Sequence, residues 1–275
     1  MSIYYSATGQ VTLDTSNAPH DPFTPTSNED LIKAIRLLKY STVNVDINSW
    51  NVSNITNMEG LFQKTNFNQP LNNWDVSHVT NMSAMFSECP NFNQPLDQWN
   101  VSQVTDMSSM FSECPNFNQP LDQWNVSRVT DMSLMFFDCT NFNQPLDNWN
   151  VSQVTNMTNM FFRCTNFNQP LNNWDVSQVT KMYSMFYECT SFNQPLGQWN
   201  VSQVTNMYGM FNGCTNFNQN LNNWHLRNHA NVRFMFRNTA MIYANYPPDY
   251  ESNLENYHVD PDFDDIDLDA EEEDD

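Results

Sequence analysis

The sequence predicts a repeat solenoid, and three observations predict it. All eight Trp residues (Trp50, Trp74, Trp99, Trp124, Trp149, Trp174, Trp199 and Trp224) recur every 25 residues, except across the first interval, which is 24. All six Cys, from Cys89 to Cys214, keep the same 25-residue period. Within one copy two shorter apolar periods follow each other, one that of a short extended segment and one that of a helical face. Self-similarity at a period of roughly 20 to 50 residues marks a chain whose units bury their apolar faces on one another. The pattern places the repeat body at residues 48–241. A cap precedes it at 1–47, and a Tyr- and Pro-rich segment with an acidic tail follows at 242–275.

The leading cap is needed because the end of a stack exposes an apolar cross-section. "SNEDLIKAIRLLKY" predicts a helix over about 28–40, with Ser27 or Asn28 as N-cap and Leu31, Ile32, Ile35 and Leu38 on its apolar side. "VNVDI" alternates Val43, Val45 and Ile47 and predicts a leading strand over 43–47.

One unit reads "FNQPLDQWNVSQVTDMSSMFSECPN" from Phe92. Trp99 and Val101 fit one face of a short strand. Val104, Met107, Phe111 and Cys114 recur at helical spacing and predict a helical segment over about 106–113, with Thr105 as N-cap. Stacking places counterparts about 4.8 Å apart, so each position becomes a column. The Trp, Val, Met and Phe columns read as core. The Cys column reads as small buried thiols: its ligands do not converge on a metal, and parallel Cβ vectors suit a disulfide poorly. The outward positions Asn51, Asp75, Asn100, Asn125, Asn150, Asp175 and Asn200 are expected to form an amide and acid ladder that bonds along the stack. They give a candidate polar sheet face for carbohydrate or protein.

The spacing L-x-x-W-x-V resembles the strand core of leucine-rich repeats. The longer pattern "NWDVSxVTxMxxMFxxCxxFNQPL", followed over residues 50–236, resembles the BspA-like leucine-rich repeats, specifically the mycoplasma lipoprotein-type repeat family of unknown function. The resemblance implies a right-handed solenoid with a parallel β-sheet on one side and short helical or 3₁₀ segments opposite, and it implies no catalytic residues. Its members occur on bacterial surfaces, in protists and in large DNA viruses, as adhesion or interaction modules. That distribution implies the alternatives of a structural component of a virus particle or surface layer, and of a carbohydrate-binding adhesin.

The positions that change between copies carry the functional expectation. Aromatic residues replace Ser in consecutive copies only in the second half: Phe137, Phe162 and Tyr187 in one slot, Tyr183 and Tyr208 in another, with Leu134 beside them. They form the candidate protein-contact stripe, because clustered exposed aromatics mark partner sites. The segment "AMIYANYPPDYESNLENY" is a candidate cover for that stripe. Near the C-terminus the pattern decays, and Arg227, Arg233 and Arg237 form a candidate basic end.

Charge excludes other classes. Of the 31 acidic residues, 14 lie from Asp249 onward, where there is no Lys or Arg, which leaves seventeen acids against ten bases in the body. Without a basic stripe nucleic acid is not an expected partner. Five scattered His and only five Gly offer no catalytic constellation and no phosphate loop, so no catalytic residue, metal or cofactor is expected. "MSIYYSATGQ" lacks the features of a signal peptide, and no apolar run is long enough to span a membrane, so an intracellular or virion-associated protein is expected rather than one at the cell surface. The expected function is non-enzymatic protein–protein interaction on an extended scaffold, with unknown protein partners and self-assembly as a further option.

Overall fold

The computed structural model describes residues 2–6, 9–14, 22–39 and 45–256. The chain opens with an antiparallel hairpin, β1 (Ser2–Tyr5) and β2 (Val11–Asp14), in the register Ser2↔Asp14 to Tyr5↔Val11. Helix α1 (Asn28–Lys39) follows over the span its amphipathic pattern predicts. Ser27 is its N-cap: its hydroxyl accepts the Asp30 amide at 3.2 Å, satisfying a donor left over in the first turn. Asn28 does something else. Its Oδ1 accepts the amides of Thr56 and Asn57 at 3.2 and 3.4 Å, so the start of the helix closes the first repeat. Phe23 packs edge-on against Trp50 at 5.0 Å and completes the cover. Val45 and Ile47 are buried in irregular backbone rather than in a paired strand, while Tyr40 and residues 41–44, Val43 included, lie outside the described residues.

From 48 to 241 the described backbone has neither a helix nor a strand longer than a single bridging residue. The predicted sheet is reduced to seven isolated parallel bridges, from Asn57↔Asn81 to Asn206↔Asn231, each joining one copy to the next. The predicted helical segments are corrected outright. In the second copy the amides of Met82, Ala84, Phe86 and Glu88 donate to the carbonyls of Asp106, Ser108, Met110 and Ser112 in the third, at 2.7–3.0 Å. The amides between them close local turns: Met85 to Met82, Ser87 to Ala84 and Cys89 to Phe86, at 3.1–3.2 Å. Alternate amides are therefore spent on the neighbouring copy, and no i→i−4 ladder remains for a helix.

Two of these turns, Met82–Met85 and Phe86–Cys89, carry a positive φ at their third residue, 52° at Ala84 and 56° at Glu88. Left-handed backbone at that position alone defines a type II turn. Every copy repeats the pair, yet only Gly60, Gly209 and Gly213 supply the residue that suits it; Ser109 (φ 56°), Leu134 (φ 55°) and Phe234 (φ 55°) are among the side chains held there. The left-handed region costs an L-residue about 1–2 kcal/mol, against about 0.5–1 kcal/mol for the extra entropy of Gly. Ser109→Gly is therefore expected to raise the urea midpoint slightly, and Ser109→Val, β-branched, to lower stability by about 1–2 kcal/mol; equal midpoints for the two variants would contradict this.

The core consists of columns. Phe62, Phe86, Phe111, Phe136, Phe161, Phe186, Phe211 and Phe236 stack with ring centroids 5.5–5.9 Å apart. A second Phe column beside it, as in Phe136–Phe142 at 4.1 Å, widens the stack. Each described Trp from Trp74 to Trp224 donates its indole N–H to a carbonyl of the preceding copy, for example Trp149 to Leu121 at 2.9 Å. That partner is required because a buried N–H without one is costly. The polar ladder runs through another motif than expected. The Asn of each F-N-Q accepts from the next copy, as Asn118 does from the Asn143 amide at 3.0 Å and from Gln144 Nε2 at 3.0 Å.

The C-terminal end is closed by a 3₁₀ turn (Tyr243–Asn245) and helix α2 (Tyr250–Asn256). Asn245 continues the amide ladder onto Asn218 at 2.9 Å, Asn253 accepts the Ala230 amide at 2.9 Å, and Tyr246 and Tyr250 pack on Phe236 at 4.8 and 5.1 Å. Burial pushes the Tyr250 hydroxyl up to about 12. The Tyr-rich segment thus covers the end of the stack, where the last Phe ring would otherwise face water, and not the aromatic stripe.

Candidate functional site

Paired type II turns in every copy make a face of four columns, one for each of the two corner residues of each turn. Numbering copies by their Trp, from Trp50 as the first to Trp224 as the eighth, the first column passes through Ser83, Ser108, Ser133, Thr158, Tyr183, Tyr208 and Arg233. The second holds the first left-handed residue of each copy, among them Ser109, Leu134, Ser184, Gly209 and Phe234. The third runs Ser87, Ser112, Phe137, Phe162, Tyr187, Asn212 and Arg237, and the fourth Glu88, Glu113, Asp138, Arg163 and Glu188. Backbone geometry is the same from copy to copy, so only side-chain chemistry varies along the face.

The sequence-predicted stripe resolves into two stacks. Phe137, Phe162 and Tyr187 lie ring on ring, 4.7 Å apart at each step and within 9° of parallel. Phe162, in the middle, is only 4 % exposed, so it serves as packing more than as an anchor. Tyr183 and Tyr208 form the second stack at 5.3 Å, and Phe234 meets Tyr208 edge-on at 5.4 Å. Where the flanking columns carry rings the second column is small: a Cβ on Gly209 would come within 3.1 Å of Ser184 Oγ and 3.7 Å of the Tyr187 ring. Burial raises the pKa of the Tyr183 hydroxyl, with Tyr208 adding to the shift. Leu134 is half-buried, and Asn159 Oδ1, in the same column, is a buried acceptor without a hydrogen-bond partner.

The predicted basic end is brought together in part. The guanidinium groups of Arg233 and Arg237 both lie over the Phe234 ring, 5.4 and 5.5 Å from its centroid, while Arg227 is exposed in a different turn. Phe234 itself, 38 % exposed, went unnamed in the sequence reading. Its signal was present, since it is the bulky counterpart of Gly209 one copy earlier. In the fourth column Arg163 pairs with Glu188 at 3.0 Å and Lys64 with Glu88 at 3.2 Å. Burial raises the Asp138 carboxyl, which Arg163 opposes and Glu188 reinforces.

The predicted polar face behaves differently. Asp75, Asn100, Asn125, Asn150, Asp175 and Asn200 are exposed, and each side chain accepts the amide of the Ser two residues on, at 3.0–3.2 Å. These are Asx turns inside one copy, not rungs between copies. Ser77 donors, the hydroxyl first and then the amide, hold the Asp75 carboxyl below its usual value.

The thiols are occupied as donors. Cys114, Cys139, Cys164, Cys189 and Cys214 each donate to the Phe carbonyl of the preceding copy at 2.7–2.9 Å. Burial drives all five well above the ordinary thiol range, so they stay protonated and are poor nucleophiles and metal ligands. Among the described residues no group of three or more His, Cys, Asp or Glu is placed to hold a metal, and no helix is long and apolar enough to cross a membrane.

Two overlapping stretches, residues 30–149 and 131–247, match the model of a family described as Mycoplasma protein of unknown function, DUF285. No curated protein and no solved structure matches the chain.

Proposed function

Because the chain belongs to this repeat family of unknown function, its activity has to be read from its own surface, and we propose that it is a non-enzymatic scaffold for protein–protein interaction. In this reading the stacked copies form a right-handed, leucine-rich-repeat-like solenoid of the BspA-like type, and the turn face is the contact surface. One observation carries the proposal. A face of repeating backbone holds small Ser side chains over its second and third copies and gathers Tyr, Phe and Arg, the residues that dominate interface energies, over its later ones. Rings stacked 4.7–5.3 Å apart present edges rather than faces to solvent, which suits packing by protein side chains better than the flat stacking of sugars. Six buried cysteines free of disulfides fit a reducing, intracellular setting.

The test uses residues that the same columns already carry elsewhere. Tyr183→Ser and Tyr208→Ser reproduce copies two to four, and Phe234→Gly reproduces copies one and seven. The triple variant is expected to keep a cooperative melt and to lose at least ten-fold in affinity for a protein captured by the wild type. Capture unaffected by these changes would remove the turn face from the function.

A further inference from the structure

We propose that the turn face pairs with the same face of a second copy of this chain, antiparallel, about a two-fold axis that crosses the stack between the fifth and sixth repeats. The inference rests on the reading of this face as an interaction surface and names its partner. The axis lies in the plane of the interface and reverses the order of the copies while keeping the columns, so the eighth copy faces the third, the seventh the fourth and the sixth the fifth.

Size complementarity follows from that order. Arg233 and Phe234, which stand out from the eighth copy, come over Ser108 and Ser109 of the third. Tyr208 of the seventh comes over Ser133 of the fourth, a small side chain that is almost wholly buried. Large meets small in both pairs, whereas a parallel arrangement, with its axis along the stack, would set the bulky eighth repeats of the two chains against each other. Charge agrees. Arg237 arrives beside exposed Glu113 in the third repeat of the partner chain, and Arg163 arrives opposite Glu188, the residue it already pairs with at 3.0 Å within one chain. The ends of the stack are covered by α1 and by α2, which leaves the side of the stack for self-association.

Six repeats at about 4.8 Å each give a face about 29 Å long. Two turns, each under about 7 Å between end Cα atoms and joined by one step of about 3.8 Å, are at most about 18 Å wide, so each chain offers roughly 500 Å², in the range of weak association. Such a dimer is expected to be weak and concentration-dependent. The chain's net charge of −21 opposes association at long range, but at physiological ionic strength interactions beyond about 8 Å are largely screened and the local pairs decide.

Sedimentation of the full chain from about 1 to 300 μM in physiological salt tests the proposal. The wild type should shift from monomer to dimer across that range. Arg237→Glu should weaken the dimer at least ten-fold, and so should Glu113→Arg. Both changes in one chain should restore it, because the broken pair is then rebuilt with its signs exchanged. Folding is not at issue for either: the third column carries polar Gln63 in copy one, and the fourth carries Arg163 at a left-handed φ of 55°, close to the 57° of Glu113. A wild type that stays monomeric to 300 μM overturns the proposal, as does a dimer indifferent to charge reversal or a combined variant that fails to recover. A monomeric wild type whose capture of another protein still depends on Tyr183, Tyr208 and Phe234 would end the self-pairing and leave the interaction surface standing.

Discussion

Raising the pH from 8 to 10 is expected to remove on the order of 7 kcal/mol of stability, enough to unfold an ordinary domain. The cause is the column of buried thiols. Cys114, Cys139, Cys164, Cys189 and Cys214 have folded pKa values well above 9.0, the value for an exposed thiol, because burial penalises the thiolate. Above pH 9 the unfolded chain releases these protons and the folded chain keeps them. The unfolded state then binds fewer protons, so stability falls as pH rises, by about 1.4 kcal/mol per thiol per pH unit. Below pH 9 both states are protonated and the thiols contribute no slope. Urea midpoints at pH 7, 8, 9 and 10 measure the effect. Cys164→Thr should reduce the alkaline slope by about one fifth, since Thr already occupies this column in the end copies, where Thr65 and Thr239 donate to Phe62 and Phe236 carbonyls at 2.6 and 2.8 Å. A midpoint that does not move between pH 8 and 10 would mean that the thiols are accessible in the folded protein.

Phe136→Ala is expected to cost about 3–5 kcal/mol, as much as deleting an entire copy. Phe136 is fully buried and touches four rings at once: Phe111 at 5.8 Å, Phe161 at 5.6 Å, Phe142 at 4.1 Å and Trp149 at 6.4 Å. Removing it leaves a cavity in the middle of the column, and neighbours held by backbone bonds to the copies on either side cannot collapse into it. Deleting residues 126–150 joins Asn125 to Val151 and regenerates the repeat without a gap, so the loss is only one copy's share, about 1–4 kcal/mol for 25 residues. Denaturant melts of the two variants decide the matter. Because each copy contacts its neighbours alone, Phe136→Ala should also broaden the transition as the two halves uncouple. A deletion variant that fails to fold would show that the copies are not interchangeable.

The failure to foresee the turns has a specific origin. Val104, Met107, Phe111 and Cys114 recur at three- and four-residue intervals, and two consecutive type II turns bury residues at the same intervals as a helix. Apolar spacing therefore cannot separate the two. The destination of the alternate amides can, and it is settled only when a second copy lies alongside to accept them. The ladder was misplaced for a related reason. Asn100 and Asn118 look alike in sequence, but Asn100 bonds the Ser two residues on while Asn118 faces the next copy. Helix α1 and its Ser27 cap were legible because their signals are local. The hairpin β1–β2 carries a local signal as well, Ile3 and Tyr5, Val11 and Leu13 alternating around Gly9.

By itself the sequence determined the period, the inward columns and the position of the aromatic and Arg substitutions, because burial follows from apolar character repeated at a constant interval. The predicted stripe, Phe137 through Tyr187, does line up ring on ring. What only the tertiary structure decided is where the backbone hydrogen bonds go, which side chains sit on left-handed backbone, and that Phe162 is packed away while Phe234 stands out between Arg233 and Arg237. The backbone bonds and ring stacks between copies depend on partners 23 to 26 residues distant, and a hydrogen bond or a ring contact at that separation leaves no trace in the local pattern of either residue.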